Sequence, residues 1–195
     1  CDKVMHVASP VIFQSPKDEN ELIKPAVEGT LNVLRACSEN GVKKVVLTSS
    51  IASIITGHTE SKTYDETEWA NTDVKGINVY MKSKPLAEKA AWKFVEDLPA
   101  DKKFELTTIL PSAVVGPPLT VLDFASSMLV AKLLNGEVPA QPRLSFDYVD
   151  VRDVAKAHIL ALESDKSAGQ RYTCTAGMRT MKQMATTLAN EFNKY

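Results

Sequence analysis

The chain has 195 residues, with 23 Lys and Arg, 24 Asp and Glu, and a formal net charge of −1. Its basic residues are scattered, so the sequence offers no positive surface for nucleic acid or an anionic membrane. No apolar run approaches the roughly 20 residues that cross a bilayer, and the length is typical of one domain. We therefore expect a cytoplasmic protein that binds neither nucleic acid nor membrane.

The first quarter of the chain alternates short apolar runs with an amphipathic stretch, which is typical of strand-helix-strand units around a parallel sheet. Residues 3–7 predict a buried strand, and a helix follows that ends at Asn40 and Gly41. Residues 44–48 are continuously apolar, which predicts a strand covered on both faces. Ligands bind beyond the carboxyl ends of such strands, so Ser49 and Ser50 are candidate site residues.

The remaining elements continue the alternation. Residues 51–78 are polar and lack periodicity, and we interpret them as an active-site loop. The patterns then predict a helix over residues 79–97, a strand over 104–110, a helix over 123–134, a strand over 146–149, a helix to Leu162 begun by Asp150 or Asp153, a strand over 171–174 and a helix over 181–192. This order predicts an α/β fold.

Tyr80 and Lys84 are the residue pair that most clearly indicates chemistry. Residues four apart share one face of a helix, so the Lys84 ammonium is expected to stabilise the tyrosinate and lower the pKa of Tyr80. A phenol tuned in this way is a proton donor for a carbonyl oxygen. The spacing alone is common, so the interpretation depends on the motifs around it.

Four groups of residues follow one another along the chain, and their order is a more specific signal than any one of them. They are Thr48, Ser49 and Ser50; Tyr80, Ser83 and Lys84 with Leu86 to Trp92; Leu110 and Pro111 with Val114 to Pro117; and Tyr148 to His158. This order resembles the extended short-chain dehydrogenase/reductases, and within them the branch of dihydroflavonol and cinnamoyl-CoA reductases.

The resemblance implies a Rossmann-type parallel sheet with flanking helices and a Ser-Tyr-Lys mechanism on a small-molecule carbonyl substrate. By position, Ser50 would bond to the substrate carbonyl, Tyr80 would donate its proton, and Lys84 would bind the nicotinamide ribose. The cofactor would be NADP, with NAD possible. The residues expected to line it, besides Tyr80 and Lys84, are Val7, Ala8, Ser9, Thr48, Pro111, Ser112, Ala113 and Val114.

The chain also departs from the pattern of that family. The Gly-rich phosphate loop of the family is absent, so we interpret residues 1–195 as a single truncated domain, incomplete at its N-terminus, that binds cofactor weakly. Segments around 117–147 and 175–195 would form part of a small substrate lobe. Pro85 removes an amide inside the predicted helix, at a cost of about 3 kcal/mol, which leaves the direction of Lys84 open.

Several alternatives stay open at this point. A nucleotide-sugar epimerase or dehydratase, or a hydroxysteroid dehydrogenase, would use the same triad, and a truncated paralogue would have no activity. Thr48 or Ser49 could take the place of Ser50, because the strand register decides which hydroxyl faces the site. The three histidines lack metal-ligand spacing, so no metal site is expected. The substrate and the oligomeric state are not determined.

Overall fold

The computed structural model describes residues 1–11, 16–120, 125–138 and 142–192. The strands are β1 (Lys3–His6), β2 (Lys44–Thr48), β3 (Glu105–Pro111), β4 (Ala113–Val115), β5 (Ser145–Asp150), β6 (Arg171–Cys174) and β7 (Met178–Thr180). The helices are α1 (Asn20–Glu39), α2 (Ala52–Ile55), α3 (Val79–Asp97), α4 (Ala125–Leu134), α5 (Val151–Glu163) and α6 (Met181–Glu191). No helix in these ranges is both long and apolar enough to span a bilayer.

A four-stranded parallel sheet in the order β1-β2-β3-β6 forms the centre of the fold. Successive side chains of a strand point to opposite faces. Val45 and Leu47 of β2 therefore pack with α1 and α3 on one face, whereas Val46 packs with α5 on the other. The expected Rossmann-type sheet with flanking helices is confirmed, and the parallel strands place their carboxyl ends at one edge.

A second, smaller sheet has the order β4-β5-β7, with β4 and β5 parallel and β5 and β7 antiparallel. β7 was not predicted from the sequence, because it has only three residues and all of them are exposed. This sheet draws on both segments that we assigned to a substrate lobe. That assignment stays a prediction, and residues 121–124, 139–141 and 193–195 lie outside the described part of the chain.

The first strand differs from its prediction. β1 lies at the edge of the four-stranded sheet, and Met5 and Val7 are 40% and 60% exposed. The expectation of a buried strand is therefore wrong for this structure, because β1 pairs with β2 alone among the described strands. An apolar composition does not separate an edge strand from a central one.

Helix α3 positions the candidate site and begins as predicted. The Asn78 side chain accepts a hydrogen bond of 2.9 Å from the Tyr80 amide, which satisfies one of the free donors at the start of the helix. Pro85 lies inside α3 and is almost completely buried, and the helix continues past it to Asp97. The helix packs against α1, and the missing amide of the proline does not end it.

Candidate active site

Ser50, Tyr80 and Lys84 come together at the carboxyl edge of the four-stranded sheet. Ser50 follows β2, and the next amide, that of Ile51, bonds to the Pro111 carbonyl at 3.0 Å, which extends the sheet beyond the strand. The Lys84 Nζ lies 5.6 Å from the centre of the Tyr80 ring. The Ser50 hydroxyl faces the phenol closely enough to influence its pKa through hydrogen bonding. Pro85 had left the direction of the Lys84 side chain open, and in the structure this side chain extends along Tyr80.

The register of β2 separates its three terminal hydroxyl groups. Thr48 Oγ1 lies 2.6 Å from His158 Nε2 on α5, and Ser49 Oγ donates to Glu88 Oε2 at 2.5 Å. Ser50 Oγ accepts a bond of 3.2 Å from the Ala52 amide and is turned toward Tyr80. Of the three hydroxyl groups, that of Ser50 is the one that influences the pKa of the phenol, and the Thr48 hydroxyl is held by a histidine.

The two titratable groups of the site differ from expectation in one respect. Burial raises the pKa of Tyr80, and the hydrogen bond from Ser50 only opposes that rise. The prediction that Lys84 lowers the pKa of Tyr80 below its ordinary value is therefore wrong for this structure, because burial disfavours the charged tyrosinate. Burial also lowers the pKa of Lys84 to about 8, while the Glu88 carboxylate opposes that decrease.

The residues expected to line a cofactor lie around the same edge. A small cavity between β1, β2 and α3 is lined by Ala8, Ser9, Thr48, Ser49, Lys84 and Glu88, among others. Val7 is mostly exposed beside it. Pro111 ends β3, Ala113 and Val114 belong to β4, and Ser112 joins the two strands. Ser112 Oγ is buried and, within the described residues, has no hydrogen-bond partner.

The structure adds a buried ion pair that sequence reasoning did not identify. Arg171 Nε of β6 donates to Glu88 Oε1 of α3 at 2.8 Å, and the two side chains are 9% and 0% exposed. Glu88 follows Lys84 by four residues and occupies a helix stripe beside Ala87 and Ala91, both buried. A carboxylate on a buried stripe was the available signal, but its partner is 83 residues away in the sequence.

The loop over residues 56–78 is attached to this ion pair. Arg171 Nη1 donates to the carbonyl oxygens of Glu66 and Glu68, both at 2.7 Å. Its guanidinium also lies 3.7 Å from the centre of the Trp69 ring. The Glu66 carboxylate in turn accepts bonds from the amide and the hydroxyl of Thr173. We interpreted residues 51–78 as an active-site loop, but residues 52–55 of that segment form α2. The remainder is fixed to β6 by these bonds.

None of the histidines has a hydrogen bond to Ser50, Tyr80 or Lys84 in the structure, although His6 lies near Lys84. His158 Nδ1 bonds to the Val154 carbonyl at 2.8 Å, which leaves Nε2 as the acceptor for Thr48. His58 bonds to the Trp69 carbonyl. His6 Nε2 is buried without a partner in the described part of the chain, and burial, with the nearby Lys84 charge, lowers its pKa.

A parallel sheet with Ser, Tyr and Lys side chains at its carboxyl edge defines a protein of the Rossmann-type α/β class. The model of the 3-beta hydroxysteroid dehydrogenase/isomerase family matches residues 1–194, and the chain belongs to that family. Its relatives confirm the resemblance to the extended short-chain dehydrogenase/reductases, in the branch of dihydroflavonol and cinnamoyl-CoA reductases.

Three known proteins illustrate this relationship. Cinnamoyl-CoA reductase CAD2 of Medicago truncatula is 40% identical over 87% of the chain, and dihydroflavonol 4-reductase of Zea mays is 35% identical over the whole chain. The crystal structure of the yeast methylglyoxal/isovaleraldehyde reductase Gre2 complexed with NADPH is 32% identical over 98% of the chain, with a TM-score of 0.85. The chain spans 52%, 55% and 61% of the lengths of these three proteins, respectively.

Proposed function

We propose that the protein reduces an aldehyde or ketone to an alcohol with NADPH, through Ser50, Tyr80 and Lys84. The observation that carries this proposal is the convergence of the three side chains at one edge of the sheet. The names of the relatives support the reaction class, since both curated relatives described above are reductases. The NADPH in the Gre2 structure supports the choice of cofactor.

Each side chain has a distinct task in this reaction. Bound NADPH supplies the hydride, which adds to the carbonyl carbon and leaves negative charge on the oxygen. The Ser50 hydroxyl donates a hydrogen bond to that oxygen, and the Tyr80 hydroxyl transfers its proton to it, which yields the alcohol. Donors aimed at the developing charge stabilise the transition state more than the substrate.

The pKa directions are consistent with these tasks. Burial raises the pKa of Tyr80, so the phenol carries its proton at neutral pH and is available as an acid. The Lys84 cation beside the ring stabilises the tyrosinate that remains after proton transfer. Because burial lowers the pKa of Lys84 to about 8, that cation is lost as the pH rises through this value. Reductase activity should therefore decline above about pH 8.

The side chains around the site fit a nicotinamide cofactor. Lys84 and Ser9 border one cavity, where an ammonium and a hydroxyl group can bond to ribose oxygens. The buried Ser112 hydroxyl, which has no partner among the described residues, is a further donor on the opposite side of β2. These residues would hold and orient the cofactor against Tyr80.

A reductase fits the comparisons better than the other enzymes considered. The family description covers hydroxysteroid dehydrogenases, but the relatives of this chain described above are named reductases of other compounds. A reductase consumes one NADPH per product, whereas an epimerase regenerates its cofactor. The stoichiometry of NADPH oxidation to alcohol formed therefore separates the two reactions.

The test is NADPH oxidation with an aromatic aldehyde, in the longest natural polypeptide that contains these residues. Tyr80→Phe removes the proton donor and should lower kcat by about 10²- to 10⁴-fold. Tyr64→Phe is the matched control, because the Tyr64 hydroxyl bonds to the Glu60 carbonyl and takes no part in the proposed site. A Tyr80→Phe protein with unchanged turnover would contradict the proposal. So would a natural polypeptide that binds no NADPH, which would favour a non-catalytic paralogue.

A further inference from the structure

Glu88 is a buried carboxylate with an unusually complete set of donors. Thr108 Oγ1 and Arg171 Nε donate to Oε1, both at 2.8 Å, and Trp92 Nε1 donates at 3.2 Å. Ser49 Oγ donates to Oε2 at 2.5 Å, and Arg171 Nη2 lies 3.4 Å from the same oxygen. These bonds and the guanidinium keep the pKa of Glu88 below its ordinary value despite burial. The carboxylate is therefore charged at the pH of catalysis.

A buried pair of this kind is weak evidence for a gain in stability. Removing two charges from water costs about as much as their attraction returns, and well-packed apolar residues of similar size usually serve equally well. The pair sits where it can act on the proposed site, however. Glu88 follows Lys84 by one helical turn, and both side chains line the same small cavity. The Ser49 hydroxyl that Glu88 holds belongs to the residue directly before Ser50.

Arg171 connects the same carboxylate to the loop over residues 56–78. Its Nη1 holds two carbonyl oxygens of that loop, and Ser49, which Glu88 also binds, lies 3.0 Å from Ser53 Oγ of α2. One carboxylate thus joins α3, the end of β2, the middle of β3, β6 and the loop. Two of these elements carry the candidate residues, since Ser50 follows β2 and both Tyr80 and Lys84 lie on α3.

We propose that Glu88 and Arg171 are positioning residues for this site. The Glu88 carboxylate keeps the adjacent Lys84 in its cationic form and fixes the strand end that carries Ser50, while Arg171 orients that carboxylate and anchors the loop. This inference rests on the proposed function for its meaning in catalysis. Its electrostatic part concerns two residues of the same helix and can be measured without turnover.

The charges around Lys84 determine the expected direction. Burial lowers the pKa of Lys84 and Glu88 raises it. From β1, His6 also lies near Lys84. Burial and the Lys84 charge lower the pKa of His6, so its imidazole is neutral near pH 8. From α3, Tyr80 has a raised pKa and keeps its proton at this pH. The Arg171 cation of β6 is paired with Glu88 rather than with Lys84. Near pH 8, Glu88 is therefore the charge that sustains the Lys84 cation.

The experiment removes that charge while preserving shape. Glu88→Gln should lower the pKa of Lys84, so the decline of kcat at high pH should move down by about one pH unit. Glu88→Asp retains the charge and should leave the decline near its wild-type pH, even if kcat falls. NMR titration of Lys84 in protein with labelled lysine should show the same shift without any substrate.

Two control variants separate this role from a purely structural one. Thr108→Val removes one hydrogen bond to Glu88 at nearly constant volume and without a change in charge, so the pH dependence should stay unchanged. Lys93→Gln disrupts an exposed pair with Asp97 on the same helix, also at a spacing of four residues, and should change neither kcat nor the pH dependence. A structural network alone would give equal pH profiles for all of these variants.

The outcomes are decisive in each case. If Glu88→Gln does not fold, the double variant Glu88→Gln with Arg171→Gln removes both members of the buried ion pair and should still show a downward shift, smaller because the Arg171 cation is removed as well. An unchanged Lys84 titration in either variant overturns the inference while the proposed function stands. If Tyr80→Phe remains active, the proposed function fails, and the Lys84 titration still decides the electrostatic part.

Discussion

The two sheets of the protein differ in how completely their side chains are buried. Four of the five residues of β2 and six of the seven residues of β3 are buried. In the second sheet, β5 has one buried residue and all three residues of β7 are exposed. The candidate catalytic side chains are attached to the first sheet and to the helix that packs near it. Geometry that must be exact to a fraction of an ångström is thus placed on the more completely buried frame.

The two regions also differ in whether their polar groups are paired inside the protein or at its surface. At the edge of the first sheet, Glu88, Arg171, Ser49 and Thr108 satisfy one another inside the protein. In the second sheet the ion pair of Asp150 and Arg152 lies at the surface, and an exposed pair contributes little stability. We expect the second region to open locally at a lower free energy than the first.

The largest expected effect comes from truncating the same residue type in the two regions. Leu106 of β3 is 2% exposed, so Leu106→Ala should lower the free energy of unfolding by about 3 kcal/mol. Leu144, next to β5, is 51% exposed, and Leu144→Ala should change it by less than about 0.5 kcal/mol. Urea denaturation followed by circular dichroism measures both values. Equal losses would contradict the proposed difference between the regions.

An effect of intermediate size is expected from two glycines near the ends of the loop over residues 56–78. Gly57 and Gly76 have φ of +78° and +82°, so alanine costs about 1–2 kcal/mol of backbone strain at either position. A Cβ added at Gly57 would lie 2.0 Å from the Asn71 carbonyl oxygen. A Cβ added at Gly76 would have no neighbouring atom within 4 Å.

Gly57→Ala should therefore destabilise the protein by about 2 kcal/mol more than Gly76→Ala, because only the first must also displace the backbone of the loop. Thermal denaturation of the two variants gives the difference. If the two midpoints agree, the loop is not held against residue 57 in the way that the structure shows.

The smallest expected effect tests the second region by itself. Thr180 begins α6 with a reciprocal pair of bonds to Gln183, in which each side chain binds the backbone amide of the other. Thr180→Ala should cost about 1 kcal/mol. Hydrogen exchange should then become faster in α6 and β7, while the amides of β2 and β3 keep their protection. Faster exchange in both sheets would show that the two regions unfold as one unit.

Much of the architecture was predictable because it depends on local periodicity. The bounds of α3 and β6 agree with their predictions, and Asp150 starts α5 as one of the two expected caps. β7 could not be predicted, because three exposed residues carry no alternation. The exposure of β1 depends on which strands pair with it, and a run of apolar residues does not specify that.

The candidate site was also predictable in part. The order of motifs along the chain located Ser50, Tyr80 and Lys84, and the i, i+4 spacing placed two of them on one face of a helix. The direction of the pKa of Tyr80 was not predictable, because it depends on how far the phenol is removed from water. The partner of Glu88 was not predictable either.

The sequence by itself determined the order of the longer strands and helices and the edge of the sheet where the candidate site lies, since both follow from patterns within single segments. The tertiary structure alone decided which of three neighbouring hydroxyls faces the phenol and which cation neutralises Glu88. These choices depend on strand register, burial and contacts between distant segments, as between Glu88 and Arg171, and such contacts exist only once the chain has folded.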